Sequence, residues 1–212
     1  MTSDGEPPFP DAAGAPKGPL EPSHWNDRWT AKDTPWDLAA PSPPIARALR
    51  EGLIVPPGRA VVVGCGAGHD ARAVAAAGFD TVGIDFSPAA VARAREFAAA
   101  EASSARFEVA DLFDLPAGVR GADLVVEHTL FCAVHPRDRD RYVDAVADVL
   151  RPGGRLLALF WLIRTETGPP FGASEPEILH RFERRFRFLH RERPADSLET
   201  RPHEMLCLLE RS

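Results

Sequence analysis

The stretch Val61-Val62-Val63-Gly64-Cys65-Gly66-Ala67-Gly68-His69-Asp70 decides the fold. Branched apolar residues lead into closely spaced glycines and then into an alanine-rich helical pattern, which predicts a buried parallel strand, a tight turn and a helix start. Glycines in such a turn let the backbone approach a ligand closely. Gly83-Ile84-Asp85 follows one helix later, where a carboxylate at a strand end accepts hydrogen bonds from ribose hydroxyls. Together these residues predict a nucleotide-cofactor site.

The glycine spacing narrows the choice of nucleotide. A dinucleotide fingerprint needs glycines at positions one, three and six, but position six is His69 here. No Lys-Ser/Thr pair follows the glycines, which excludes a P-loop. The loop therefore favours a carboxylate-bearing nucleoside, and S-adenosylmethionine fits that description.

Strands and helices alternate along the chain around this stretch. Apolar runs predict four further strands of the sheet and two terminal strands that pair antiparallel, at Asp80–Asp85, Phe107–Asp111, Asp123–His128, Arg155–Trp161, Phe186–Arg191 and Glu204–Glu210. Helical spacing and caps predict helices at Ile45–Leu53, through Ala71, Val74 and Ala75 to Gly78, after Ser87-Pro88, along Val143, Val146, Ala147 and Leu150, and after Ser174 with Leu179, Phe182 and Phe186 inward. This order is typical of an α/β fold with helices on both faces of a parallel sheet.

The composition indicates one acidic domain. A chain of 212 residues needs no partner to bury its core, so we expect a monomer. Its formal charge of −6 makes nucleic acid an unsuitable partner. Cys65, Cys132 and Cys207 lie in apolar segments, which fits reduced thiols in the cytoplasm better than disulfides. No apolar run approaches the roughly 20 residues that span a bilayer, so we expect no membrane association. No residue cluster has metal-ligand spacing, so we expect no metal.

Two segments precede the first strand. Residues 1–22 are rich in proline and lack an apolar period, which predicts a disordered tail before a single domain over residues 23–212. Trp25, Trp29 and Trp36 then fall within twelve residues, with Trp25 and Trp29 on one face of a short helix. The tryptophans either pack on the core for stability alone or form a lid over a positively charged cofactor, since aromatic faces attract cations.

Several motifs in this order resemble those of class I S-adenosylmethionine-dependent methyltransferases. They are the glycine loop at 64–68, Asp85, Asp111 and the turn at 150–154. The resemblance narrows to the thiopurine S-methyltransferase family and its plant thiol and halide methyltransferase relatives through Trp25-x3-Trp29 and the segments 34–37, 127–133 and 168–171. It covers about residues 24–210 and implies a Rossmann-like, seven-stranded, mostly parallel sheet whose last strand is antiparallel.

The resemblance also implies which residues surround the cofactor S-adenosyl-L-methionine. These residues are Trp25, Trp29 and Trp36 in the lid, Gly64 and Gly66 in the loop, Asp85 at the ribose, Asp111 and Leu112 at the adenine, and His128 at the methionine part. Phe131 and Trp161 lie beyond strand ends and are candidates for the acceptor pocket.

The reaction implied is in-line methyl transfer to the sulfur of a small thiol or thiopurine-like acceptor. Because thiols are partly ionised near neutral pH, no catalytic residue is assigned. His128 and His135 are candidate proton acceptors, and His203-Glu204 is either a polar site pair or plain surface. Two alternatives stay open: methylation of halide, hydrogen sulfide or selenium and tellurium species, and a cofactor-binding module without catalysis.

Overall fold

The computed structural model describes residues 21–165 and 167–212. Six helices and seven strands follow one another along these residues. The helices are α1 (Pro22–Ala31), α2 (Pro43–Arg50), α3 (His69–Ala76), α4 (Pro88–Ala100), α5 (Arg139–Val149) and α6 (Glu175–Phe182). The strands are β1 (Arg59–Val63), β2 (Asp80–Asp85), β3 (Arg106–Val109), β4 (Ala122–His128), β5 (Leu150–Trp161), β6 (Phe186–Glu192) and β7 (Glu204–Arg211).

The strands form one sheet in the order β3-β2-β1-β4-β5-β7-β6. Strands β1 to β5 run parallel, and β7 pairs antiparallel with both β5 and β6. The predicted Rossmann-like sheet with an antiparallel last strand is therefore confirmed. Val63 pairs with Ile84 on one side and with Glu127 on the other, so the carboxyl ends of β1, β2 and β4 meet at one edge.

Helices cover both faces of the sheet, as predicted. Val61 and Val63 of β1 belong to a core cluster that includes residues of α5 and α6, whereas Val62 belongs to a cluster shared with α2, α3 and α4. Successive strand residues point to opposite faces, so a fully apolar strand is what two covering helix layers require.

Most predicted helix starts and strands are confirmed, but several boundaries differ. The helix predicted at Ile45–Leu53 spans Pro43–Arg50, and the strand predicted from Arg155 begins at Leu150. The predicted helix stripe includes Leu150, yet α5 ends at Val149 and Leu150 opens β5. Phe186 is buried as the first residue of β6 and not in α6. In α6, Ile178 and Phe182 are buried, whereas Leu179, predicted to face inward, is only half-buried. Strand β3 ends at Val109, so Asp111 lies in the following turn. Apolar spacing alone does not show where a buried helix gives way to a buried strand.

Some expectations concern features outside the folded core. Residues 1–20 of the predicted tail lie outside the described residues, and Pro22 opens α1. All three cysteines are free thiols. Within the described ranges no helix is long and apolar enough to cross a membrane, and no group of His, Cys, Asp and Glu side chains is arranged to hold a metal ion.

Candidate active site

A cavity of about 530 Å³ opens at the carboxyl ends of β1, β2, β4 and β5, beneath the tryptophan segment. Ligand sites in open α/β sheets lie at this edge, and this volume suits a small cofactor with its substrate. Every residue predicted to contact the cofactor lines the cavity, namely Trp25, Trp29, Trp36, Gly64, Gly66, Asp85, Asp111, Leu112 and His128. The contact that each of them makes with the cofactor stays a prediction.

The glycine loop leaves no room for side chains. Gly64 and Gly66 have φ angles of +57° and +51°, a region that favours glycine. A Cβ on Gly66 would lie 3.0 Å from the Trp29 ring, and one on Gly64 would lie 2.9 Å from Leu130. The loop therefore presents bare backbone to the cavity, close to the tryptophan segment.

Asp85 is held rigidly at the end of β2. One carboxylate oxygen accepts a hydrogen bond from the Gly66 N–H at 3.0 Å, and the other accepts one from the Ser87 N–H at 2.9 Å. Burial raises the pKa of Asp85, although these two backbone donors act against the increase. Each carboxylate oxygen has a second lone pair, so a ligand hydroxyl in the cavity has an oriented acceptor.

The tryptophan segment lies over the cavity as a lid, which we define as residues 22–40. The rings of Trp25 and Trp29 both pack edge-on against Trp36, at centroid distances of 5.3 and 6.1 Å. Helix α1 contains no buried residue. The lid is therefore attached to the domain by a few specific contacts and not by a shared core.

Polar contacts anchor the lid beside Asp85 and the glycine loop. The Asn26 side-chain oxygen accepts hydrogen bonds from the Ser87 hydroxyl at 3.0 Å and from the Ala89 N–H at 3.1 Å. Asp37 lies 3.1 Å from the His69 ring, and the hydrogen bond from His69 lowers the pKa of Asp37. Lid and glycine loop are thus tied to the same helix starts, those of α3 and α4.

His128 lies at the end of β4 between two carboxylates. Its Nδ1 is 2.9 Å from Asp70, whose other oxygen accepts the Ser42 N–H at 2.8 Å. Its Nε2 is 3.9 Å from Glu204, a residue only 4% exposed. Burial raises the pKa of Glu204. The surface interpretation of Glu204 is therefore wrong, because pairing with Trp161 places it inside the sheet, while His203 is exposed as that interpretation expected.

The far end of the cavity is lined by Trp161, His135, Pro169, Pro170 and Arg201. Trp161 Nε1 donates a hydrogen bond to the Pro202 carbonyl at 2.8 Å, which fixes the ring. Sequence reasoning missed Arg201, since no local motif distinguishes it from the other arginines. We call this end the acceptor end, and the end around Gly64 and Asp85 the cofactor end.

Phe131 does not line the cavity, so its prediction as an acceptor-pocket residue is wrong. It is 2% exposed and packs against the rings of Tyr142, Phe160 and Phe182. The side chain therefore belongs to the core cluster that includes residues of α5 and α6.

Glu127 precedes His128 on β4, pairs with Val63 of β1 and is fully buried. One of its oxygens accepts the Phe131 N–H at 2.7 Å, and the other has no hydrogen-bond partner among the described residues. Burial raises its pKa to about 7. Glu127 therefore holds the start of the loop at 129–133 in place.

Comparison with known proteins identifies the family. The family model of thiopurine S-methyltransferase matches residues 20–210. The chain belongs to the thiopurine S-methyltransferase family. It is 36% identical over 156 residues to probable thiol methyltransferase 2 of Arabidopsis thaliana, covering 72% of this chain and 68% of that relative. Thiocyanate methyltransferase 1 of the same plant is 33% identical over 154 residues, with 71% and 66% of the two chains covered.

Solved structures agree with this membership at the level of the fold. The Burkholderia thailandensis 1,6-didemethyltoxoflavin-N1-methyltransferase, solved with S-adenosylhomocysteine, superposes with a TM-score of 0.70 at 18% identity, over 98% of this chain and 100% of that one. Family, relatives and fold together make this member of the thiopurine S-methyltransferase family an S-adenosylmethionine-dependent methyltransferase.

Proposed function

We propose that this enzyme transfers a methyl group from S-adenosylmethionine to the sulfur of a small thiol or thiolate acceptor. The observation that carries the proposal is a single cavity with two chemically different ends under one tryptophan lid. One end offers backbone and carboxylates suited to a nucleoside, and the other offers aromatic and basic side chains. The relatives named for thiol and thiocyanate methylation support sulfur as the receiving atom.

The residues of the cofactor end suit the cofactor. Gly64 and Gly66 would hold its amino-acid part against bare backbone, and the free lone pairs of Asp85 would accept its ribose hydroxyls. Asp111 and Leu112 would hold the adenine, Leu112 being 9% exposed and thus able to supply an apolar wall. When bound, the cofactor supplies a methyl carbon on a positively charged sulfur.

The chain's own work is alignment and exclusion of water. Displacement needs the acceptor sulfur in line and within about 3 to 3.5 Å of the methyl carbon. Trp25, Trp29 and Trp36 cover the cofactor end, and Trp161 walls the acceptor end, so the lid keeps water from competing. A thiol with a pKa near 8.5 is already ionised to a few per cent at neutral pH, so an in-line thiolate reacts without a dedicated base.

The test is turnover on a panel of acceptors with purified protein. Small thiols and thiopurine-like thiones should each yield S-adenosylhomocysteine, while phenols and amines of similar size should not. Turnover confined to a phenol or an amine would contradict the proposal.

A second candidate is methylation of small inorganic anions such as thiocyanate or halide. Arg201 at the acceptor end favours it, because a guanidinium attracts anions. Competition between iodide, thiocyanate and a thiol in one assay ranks the candidates by their kcat/KM values.

We also propose that the enzyme works as a monomer in the cytoplasm. Its three free cysteines, two of them buried, suit a reducing compartment. Sedimentation of the full chain would show a mass near 23.1 kDa, and a dimer would contradict the proposal.

A further inference from the structure

His69, the first residue of α3, connects the lid to the glycine loop. Its Nε2 atom is buried and lies 3.1 Å from one oxygen of Asp37, with no other hydrogen-bond partner among the described residues. The same Asp37 oxygen accepts the Ala39 N–H at 3.0 Å, which fixes the carboxylate in the turn that follows Trp36. Both side chains are half-buried, so water competes weakly for this contact. We call the contact between Asp37 and His69 the latch.

Arg72 holds the His69 ring from the other side. It is only 6% exposed, and its Nη2 lies 2.8 Å from His69 Nδ1. A guanidinium carries donors and no acceptor, so Nδ1 must accept this hydrogen bond. The neutral ring then carries its hydrogen on Nε2, the nitrogen that faces Asp37. Arg72 therefore selects the ring orientation and the tautomer that the latch needs.

Two further hydrogen bonds fix Arg72 itself. Its Nη1 donates to the Ala67 carbonyl of the glycine loop at 2.8 Å. Its Nε donates to the Glu101 carboxylate, at the end of α4, also at 2.8 Å. A planar guanidinium held at three points has little freedom left to lose when it binds His69. One side chain thus joins the glycine loop, α4 and, through His69, the lid.

We propose that Arg72 is a positioning residue for the cofactor: it orients His69 so that the latch closes, and the closed latch slows the release of S-adenosylhomocysteine. The inference rests on the proposed placement of the cofactor beneath the lid. Helix α1 contributes no buried residue, so polar contacts such as the latch hold the lid down. Lid opening sets the rate of product release in many enzymes.

Stopped-flow binding of S-adenosylhomocysteine to the full chain tests the proposal. Tryptophan fluorescence reports binding, because Trp25, Trp29 and Trp36 line the cavity. Traces at a series of ligand concentrations give the association and dissociation rate constants. The measurements are made at pH 8, where an ordinary imidazole is neutral.

The decisive comparison is Arg72→Met in two backgrounds. His69→Phe keeps a ring against Phe97 but removes both nitrogens, and should raise the dissociation rate constant about tenfold, as expected for losing a hydrogen bond to a charged group. Arg72→Met should raise it about fivefold in the unaltered chain and less than about twofold in His69→Phe, because residues that act through one contact are not additive. An equal factor in both backgrounds would overturn the inference, since Arg72 would then act without His69.

A second lid contact provides the matched background. Asn26 ties the lid to Ser87 and Ala89 without involving Arg72, so Arg72→Met should keep its full factor in Asn26→Ala. A reduced factor there would mean that Arg72 does not act through the latch. Arg95→Met alters an exposed arginine on α4 that donates to the Phe107 carbonyl, and should leave the dissociation rate constant within about twofold.

Arg72→Lys keeps the proposal testable if Arg72→Met does not fold. Lysine retains the positive charge but not the planar fork that makes three contacts at once. We expect the dissociation rate constant to rise at least about threefold, and less in the His69→Phe background. An unchanged rate constant in folded Arg72→Lys would show that charge alone suffices, and would overturn the positioning role.

The proposed function is tested separately by turnover. If thiols are methylated but Arg72→Met has the same factor with and without His69, the inference fails while the proposed function stands. If the factor depends on His69 but no sulfur acceptor is methylated, the latch stands while the proposed function fails.

Discussion

The two ends of the cavity are built in different ways. At the cofactor end, Gly64, Gly66 and Asp85 come from two adjacent strand-to-helix turns, and backbone N–H groups fix the carboxylate. At the acceptor end, Trp161 and Arg201 come from segments far apart in the chain and meet only because β5 pairs with β7. Local backbone geometry thus builds one end of the cavity, while strand pairing between distant segments of the chain builds the other.

The largest effect on cofactor binding is expected from Asp85→Ala, which tests the role of the cavity end around Gly64 and Asp85. The change removes a fixed acceptor and leaves ribose hydroxyls unpaired, so the Kd of S-adenosylhomocysteine should rise about 100-fold. Titration calorimetry measures it. Asp114→Ala removes an exposed carboxylate outside the cavity and should change the Kd less than twofold. Equal affinity of Asp85→Ala and the unaltered chain would refute the ribose assignment.

Glu127, which is buried on β4 beside Val63, provides a second test through the pH dependence of folding stability. Its pKa of about 7 in the folded state exceeds the unfolded value near 4.5, so the folded chain holds a proton that the unfolded chain releases. Stability contributed by this proton is present below pH 4.5 and falls as the pH rises towards 7. Glu127→Gln should remove this fall in folding stability, because glutamine does not ionise.

Urea unfolding at pH 5 and pH 8 measures the effect. We compare the unfolding free energy of Glu127→Gln with that of the unaltered chain at each pH. This difference should shift in favour of the variant by about 2 kcal/mol between pH 5 and pH 8. Glu108→Gln, which alters an exposed residue on β3, should show no such pH-dependent gain. An equal difference between Glu127→Gln and the unaltered chain at both pH values would mean that Glu127 is ionised in the fold.

The smallest expected effect separates the two ends directly. Trp161→Ala removes an aromatic wall of the acceptor end and should raise the KM of a thiol about tenfold, with the Kd of S-adenosylhomocysteine unchanged. Trp25→Ala, in the lid, should instead raise the Kd of S-adenosylhomocysteine and leave the KM of the thiol unchanged. Steady-state kinetics and calorimetry on both variants provide the comparison, and parallel losses in both quantities would show that the two ends are not separable.

The sequence predicts locally encoded features correctly and fails for side chains whose surroundings come from distant segments. The strand-turn-helix around Gly64 and the cap at Ser87 are confirmed, because their signals lie within a few residues of each other. The prediction for Phe131 fails, since a phenylalanine after a strand end has the same sequence signature whether it faces a cavity or an aromatic core. Of the two interpretations of Glu204, the surface one fails, because alternation along a strand does not show which neighbours bury a residue.

The sequence by itself determined the fold class, the glycine loop and the type of cofactor, because turn chemistry and strand-helix periodicity are local properties. The tertiary structure alone decided that Arg201 lines the cavity without an ion-pair partner among the described residues, that Glu127 is fully buried, and that His128 lies between Asp70 and Glu204. These properties depend on burial and on the distances between charges from separate strands and helices. Sheet pairing and lid docking determine this burial and these distances, and no short stretch of the chain encodes either the pairing or the docking.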